Sequence, residues 1–350
     1  MYKISLFLLY LLVLTACVGK QNADVEPPTA EPQHDVGNSV YYWKTTFRLS
    51  DEERYFIETH NVKRLYLRYF DVARNADFHD KIIPVPIATV KFIDTVPSNL
   101  EVVPVVFIDN SLFYDCDMNQ VAENFVKRIL TMSATNDING VREIQLDCDW
   151  TKTTEKAYFD FVKNVRTQLN RYTPKGISDI SLSATIRLHQ LTMTPPPVNR
   201  GILMCYNTGG IRNRQTENSI LAENDVALYA KHVGEYALPL DVAYPTFSWA
   251  VWFSGKKFQA LLRELTPDNE NLKLLNNNRF SVISGFYQEG KYLSAGDEIR
   301  FENSDFQEII RAKKRLEKGL KKNYSVILYH LDDNNLSKYS EDEINQIYAH

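Results

Sequence analysis

Eight strand-like segments, most of them separated by amphipathic helical ones, in a chain of 350 residues predict an α/β architecture: a single closed (β/α)8 barrel, the TIM barrel. Length agrees, because the residues left after an N-terminal leader and tether suit one large α/β barrel. The third observation is the stretch Gly140–Trp150, whose second half alternates so that Gln145, Asp147 and Asp149 share one face while Leu146, Cys148 and Trp150 share the other. Strands of parallel sheets are normally apolar on both faces, so carboxylates at the C-terminal end of one need a reason, and an active site is the leading one.

In order, Val40–Phe47 is aromatic and β-branched and runs into Ser50-Asp51-Glu52-Glu53, an N-cap with an acidic first turn that opens a helix over Asp51–Thr59. Val62–Val72 alternates as a second strand, and after a less regular stretch with Pro84, Pro86 and Pro97, Glu101–Asn110 is the third. Helical spacing over Met118–Met132 leads through Asn139-Gly140 into the fourth strand, and a helix over Thr153–Asn170 ends at Pro174-Lys175-Gly176. Ile180–Leu188, Gly201–Tyr206 and Leu238–Phe247 are strands five to seven, with a helix over Ile220–Val233 between the last two. Residues 254–302 read as an insertion, a helix over Lys256–Leu265 followed by a hairpin of Arg279–Tyr287 and Lys291–Phe301 turning at Glu289-Gly290. A charged helix over Asp305–Leu320, the eighth strand Tyr324–Leu331 and a closing helix Ser340–Tyr348 complete the barrel, which spans residues 39–350.

Residues 1–17 are set apart from this domain. Lys3 followed by the apolar run Ile4–Leu14 is too short to span a bilayer and reads as a signal peptide, and Leu14-Thr15-Ala16-Cys17 resembles the lipobox of bacterial lipoproteins, which implies a lipid on Cys17. Residues 18–38, with Pro27, Pro28 and Pro32 among polar residues, read as a flexible tether. The expected location is therefore the bacterial cell envelope, lipid-anchored at the outer membrane. The 40 basic residues nearly balance the 44 acidic ones, so nothing points to nucleic acid, and a small neutral ligand fits better. Cys116, Cys148 and Cys205 form neither a disulfide framework nor metal-type spacing, and no cofactor or metal is implied.

The fourth and sixth strands together resemble the family 18 glycoside hydrolases, the chitinase-like barrels, and a group of bacterial lipoproteins distantly related to them. The family's Asp-Gly-x-Asp-x-Asp-x-Glu falls on Arg142, Glu143, Ile144, Gln145, Leu146, Asp147, Cys148 and Asp149: Asp147 is kept, Gln145 replaces Asp, and Asp149 stands at the catalytic Glu. Met204-Cys205-Tyr206-Asn207 resembles Met-x-Tyr-Asp, whose Met and Tyr line the sugar pocket; Asn207 departs from Asp. The segment Leu240–Phe247, with Tyr244, is similar in character only, and Tyr329 and His330 occupy the region of the family's strand-eight Trp. The resemblance implies a glycan ligand, with Asp149 as general acid and with Asp147 and Tyr206 orienting an N-acetyl group in a substrate-assisted reaction.

The residues alone are consistent with this, since glycoside hydrolysis needs one protonated carboxyl and a second stabilising group, and two close carboxyls push one pKa upward. Against it, Asp retreats by about 1.5 Å relative to Glu, and misplacement of that order costs on the order of 100-fold in rate. The alternatives are a catalytically degenerate carbohydrate-binding barrel, with both carboxylates in ion pairs to Arg68 or Arg187, and a scaffold in an envelope complex, whose signature is an apolar patch on the outer helices. Asp71 and Asp109 lie at the mouth or cap turns. His189 and His330 lack ligand spacing. Trp43, Tyr244, Trp249 and Trp252 either stack on sugar or pack in the core.

Overall fold

The computed structural model describes residues 36–76, 81–116, 118–173 and 180–350, and Val36–His350 form one compact unit. The export segment, Cys17, most of the tether and the Pro174-Lys175-Gly176 stop lie outside the described residues.

Eight parallel strands close on themselves: β1 (Ser39–Tyr42), β2 (Arg64–Ala76), β3 (Glu101–Ile108), β4 (Glu143–Asp147), β5 (Ser181–Arg187), β6 (Arg200–Met204), β7 (Leu240–Pro245) and β8 (Val326–Tyr329), with β1 pairing both β8 and β2. The single (β/α)8 barrel expected from the sequence is thus present. Around it run α1 (Asp51–Thr59), α2 (Met118–Thr135), α3 (Glu155–Tyr172), α4 (Glu223–Ala230), α5 (Phe306–Leu316) and α6 (Glu341–Tyr348). Ser50 and Ser340 build capping boxes with Glu53 and Glu343, so α1 and α6 begin where their donors are satisfied. The core lies between strands and helices, where Phe70 meets Phe125 of α2 and Trp150 stacks near Tyr158 of α3. Cys148 and Cys205 are buried on that outer strand face, as small apolar groups.

Two local features were not read from the sequence. Ile82–Ile87 forms an antiparallel strand on the C-terminal half of β2, where Pro84 and Pro86 are tolerated because this strand is an edge. Within β2 the register to β3 shifts between Arg68 and Phe70. The extra residue resets the alternation, so Arg68 and Asp71 come to the same face.

The segment Lys256–Leu265 is not helical. Lys257–Leu262 is a strand paired with Ser248–Ser254, turning at Gly255 and Lys256, both at positive φ (52° and 72°). Leu, Ala and Gln favour helix in isolation, but the two-residue hairpin and cross-strand partners override that weak preference. The insertion therefore starts at Ser248, not 254, and runs to Asn303 as a five-stranded antiparallel sheet with its own small core of Ala250, Leu262, Val282 and Ile299. Its distal hairpin, Phe286–Gln288 with Lys291–Leu293, turns at Glu289-Gly290 as expected.

Candidate functional site

Alternation along each strand places one set of side chains in the lumen, and contacts between non-adjacent strands identify it. The Tyr41 hydroxyl of β1 donates across the barrel to Gln145 Oε1 of β4 at 2.7 Å. Tyr206, just past β6, stacks on Tyr329 of β8 with ring centroids 4.9 Å apart. Gln145 is fully buried on the floor, Asp147 lies above it, and Asp149 stands at the rim with a side chain 58% exposed.

Arg187, at the end of β5, joins both acids. Its Nη2 donates to Asp147 Oδ1 at 3.1 Å and its Nε donates to Asp149 Oδ1. Thr185, one step lower on the same face, donates to Asp147 Oδ1 at 2.6 Å. Burial pushes the Asp147 carboxyl upward, while Arg187 and Thr185 pull it back and Asp149 adds a smaller upward push. One carboxyl does rise, as the sequence suggested, but desolvation is the larger cause and the neighbouring acid a minor one. Against its own desolvation, the two carboxylates keep Arg187 charged.

Tyr329 is the hub of an aromatic floor. Its ring lies 5.4 Å from Tyr41, 5.8 Å from Trp43 and 5.9 Å from Phe247. Trp43 is half-buried at the end of β1 with the Arg68 guanidinium 5.2 Å over its ring. Met204 is buried under Tyr206, whose hydroxyl reaches its sulfur at 3.3 Å. The predicted residues Asp147, Asp149, Arg187, Tyr206, Met204, Trp43 and Gln145 are thus brought to one end of the barrel.

Others fall elsewhere. Arg68 does not pair with Asp147 or Asp149; both its Nε and Nη2 bind Asp71, an arrangement the β2 bulge creates. Tyr244 is not at the site: Ala243 is the register partner of Met204, so Tyr244 faces the helical layer, fully buried near Cys205, Tyr324 and Glu317. Asn207 is exposed at φ 53°, where it starts the loop after β6. Asp109 caps a turn through the Ser111 N–H at 2.9 Å. His189 is exposed on a short 3-10 turn, and the His330 ring Nδ1 lies 3.2 Å from the Leu331 carbonyl. Trp252 belongs to the insertion sheet, bonded to Asp297, whereas Trp249 donates to Glu302 at 2.6 Å and packs on Phe247 beside the floor.

Thr185, Tyr41 and Tyr329 were not singled out as site residues. The signal for the first two was present, since Thr185 and Arg187, and Tyr41 and Trp43, are pairs two apart on the lumen face of their strands. Among the described residues, no group of three or more His, Cys, Asp or Glu side chains is arranged to hold a metal ion.

No protein-family model and no curated protein matches this chain. Solved structures do. A family 18 N-acetylglucosaminidase from Paenibacillus barengoltzii covers 89% of this chain and 100% of its own, at 11% identity and TM-score 0.50. A chitinase from Chromobacterium violaceum covers 89% and 99% at 8% identity and TM-score 0.51. A chitinase-like agglutinin from Robinia pseudoacacia covers 89% and 99% at 12% identity and TM-score 0.50. At such identities the likeness establishes the fold: this chain has the barrel of the chitinases and chitinase-like proteins.

Proposed function

We propose that the barrel is a carbohydrate-binding module of the bacterial envelope that keeps a chitinase-like mouth without its hydrolytic chemistry. One observation carries this reading: a single guanidinium, Arg187, bridges Asp147 and Asp149. A general acid must present a proton to the leaving oxygen, whereas a carboxylate that accepts from a guanidinium presents an acceptor. The aromatic floor of Trp43, Tyr206, Tyr329 and Phe247 supplies ring faces for sugar stacking, and the fold is used both by a chitinase and by a chitinase-like agglutinin.

A second reading, hydrolysis with Asp149 as acid, is favoured by the exposure of that side chain at the rim. A scaffold reading draws less support, because the exposed apolar side chains on the labelled outer helices, Tyr55 and Leu228, lie on different helices. The deciding experiment incubates the purified chain with chitin-type and other β-linked oligosaccharides and reads binding by calorimetry and reducing-end release together, with Asp149→Asn alongside. Binding without release is the expected result; release that disappears in Asp149→Asn replaces this reading with the second.

Export and anchoring complete the proposal. The run Ile4–Leu14 directs secretion and a lipid on Cys17 holds the protein to the outer membrane. In cells fed labelled palmitate, the protein should carry label and fractionate with membranes, and Cys17→Ser should lose both. Label that persists in Cys17→Ser rules the anchor out.

A further inference from the structure

The strands run from a base, where β1 and β8 begin, to the mouth, and the chain enters the barrel at the base. There the Gly37 N–H donates to Ser325 Oγ at 3.4 Å, the Lys63 N–H to the Asn38 carbonyl at 2.8 Å and the Tyr348 hydroxyl to the Ser39 carbonyl at 3.0 Å. Ser325 follows directly on a basic stretch: residues 311–322, the end of α5 and the loop after it, hold seven Lys or Arg against one acid, Glu317.

Three of the seven are matched. Glu308 takes Arg311, Glu223 takes Arg315, and Glu317 takes Lys313 at 3.4 Å. Lys314, Lys318, Lys321 and Lys322 are exposed and enter no ion pair among the described residues. The helix dipole accounts for Lys314 in the last turn of α5, but the other three lie beyond the helix. The loop that carries them packs on the loop after α4, where a Cβ on Gly319 would meet the Gly234 nitrogen at 2.9 Å. The adjoining segments bring the exposed carboxylates of Glu58 and Glu235, and they also bring exposed Lys63 and Lys231. Counting the carboxylate at His350, whose ring lies 4.7 Å from Tyr324, three negative groups stand against these six lysines. The side of the base where the chain enters is therefore cationic.

We propose that this face lies on the anionic phospholipid headgroups of the membrane that anchors the chain, turning the mouth away from the bilayer. Charge complementarity and the point of chain entry select that occupant. Cys17 precedes Val36 by 19 residues, and a flexible chain of that length spans about 25 Å on average, which brings the base close without orienting it. Attraction between lysines and an anionic surface falls off within a Debye length, so it favours the cationic side over every other. The inference goes beyond the carbohydrate reading and takes from the anchor only its proximity.

Full-length chain is reconstituted into vesicles of phosphatidylcholine alone and of phosphatidylcholine with phosphatidylglycerol, and the amine-labelling rate of each lysine is read by peptide mass spectrometry. Lys314, Lys318, Lys321 and Lys322 should label about tenfold more slowly on the anionic vesicles, a difference that added salt removes, while Lys257 and Lys291 of the insertion should label alike on both. A chain of residues 18–350 keeps the test independent of the anchor, since it lacks Cys17 and retains the whole compact unit Val36–His350. It should sediment with the anionic vesicles and not with the neutral ones. Changing the four lysines together to Gln should cut that partitioning by about a hundredfold at an unchanged melting temperature, and changing them to Arg should preserve it. Equal labelling on both vesicles, slowing shared by Lys257 and Lys291, or partitioning that survives the four Gln substitutions overturns the inference and leaves the anchor and the carbohydrate readings standing. Loss of the palmitate label overturns the anchor alone.

Discussion

Arg187 decides the charge balance of the mouth, and its removal exposes what it was holding. Asp147 is buried, so without the guanidinium its carboxylate keeps, among the described residues, the Thr185 hydroxyl alone. Breaking a buried ion pair from one side leaves an uncompensated charge, and Arg187→Met should lower the unfolding free energy by about 3 kcal/mol. Adding Asp147→Asn should recover part of that loss, because the amide carries no charge. Denaturant unfolding of the parent chain and the two variants checks both, and a loss below about 1 kcal/mol for Arg187→Met would show the acid neutralised by other means. His330 gives the pH dependence. Burial lowers its pKa below the ordinary histidine value of 6.5, so the unfolded chain binds the proton more readily than the folded one. Its contribution is fully present above that ordinary value and is lost as pH falls from there toward the folded pKa. His330→Gln should flatten stability against pH over that interval; an unchanged slope would mean that folding leaves the proton affinity of the ring unaltered.

At the level of elements, the barrel strands were legible because most are short, apolar and bounded by helix signals, and because Gln145, Asp147 and Asp149, two apart, marked the lumen face of β4. What escaped were features set by partners distant in sequence. The β2 bulge that pairs Arg68 with Asp71 leaves no local trace. The segment after Lys256 has a helical composition, and only its pairing to Ser248–Ser254 makes it a strand. Tyr244 was misplaced because counting from a motif of merely similar character slipped the alternation by one residue, which reverses the face. The hairpin turn itself is testable. Lys256 sits at φ 72°, a region costly for a side chain and free for glycine, so Lys256→Gly should raise stability by about 0.5–1 kcal/mol. A melting temperature that falls instead would show the lysine side chain contributing more than the backbone strain removes. Arg300 is the opposite case: it is buried against Glu302 and holds backbone carbonyls of the β6 loop. Arg300→Met should accelerate amide exchange across residues 207–219 while exchange in β4 and β5 stays slow, and uniform protection would remove Arg300 as the loop's anchor.

At the scale of the whole molecule, the chain is one barrel carrying a second, smaller core, and the junction between them permits excision. Ser304 donates to the Phe247 carbonyl from both its N–H, at 3.2 Å, and its hydroxyl, at 2.6 Å, so the two ends of the insertion meet at one point. Replacing residues 248–303 with a short glycine link asks no barrel strand to move, because closure rests on the pairing of β1 with both β8 and β2 and on α6, whose Tyr348 hydroxyl bonds the Ser39 carbonyl at 3.0 Å. The excised chain should therefore unfold in one cooperative transition, with a denaturant dependence reduced in proportion to the surface lost. Its β6 loop should exchange freely, having lost Arg279 and Arg300, whereas sugars that contact only the aromatic floor should still bind. Loss of all sugar binding in a chain that still unfolds cooperatively would instead place the ligand between the β6 loop and the insertion sheet, and would move the recognition surface from the barrel to its appendage.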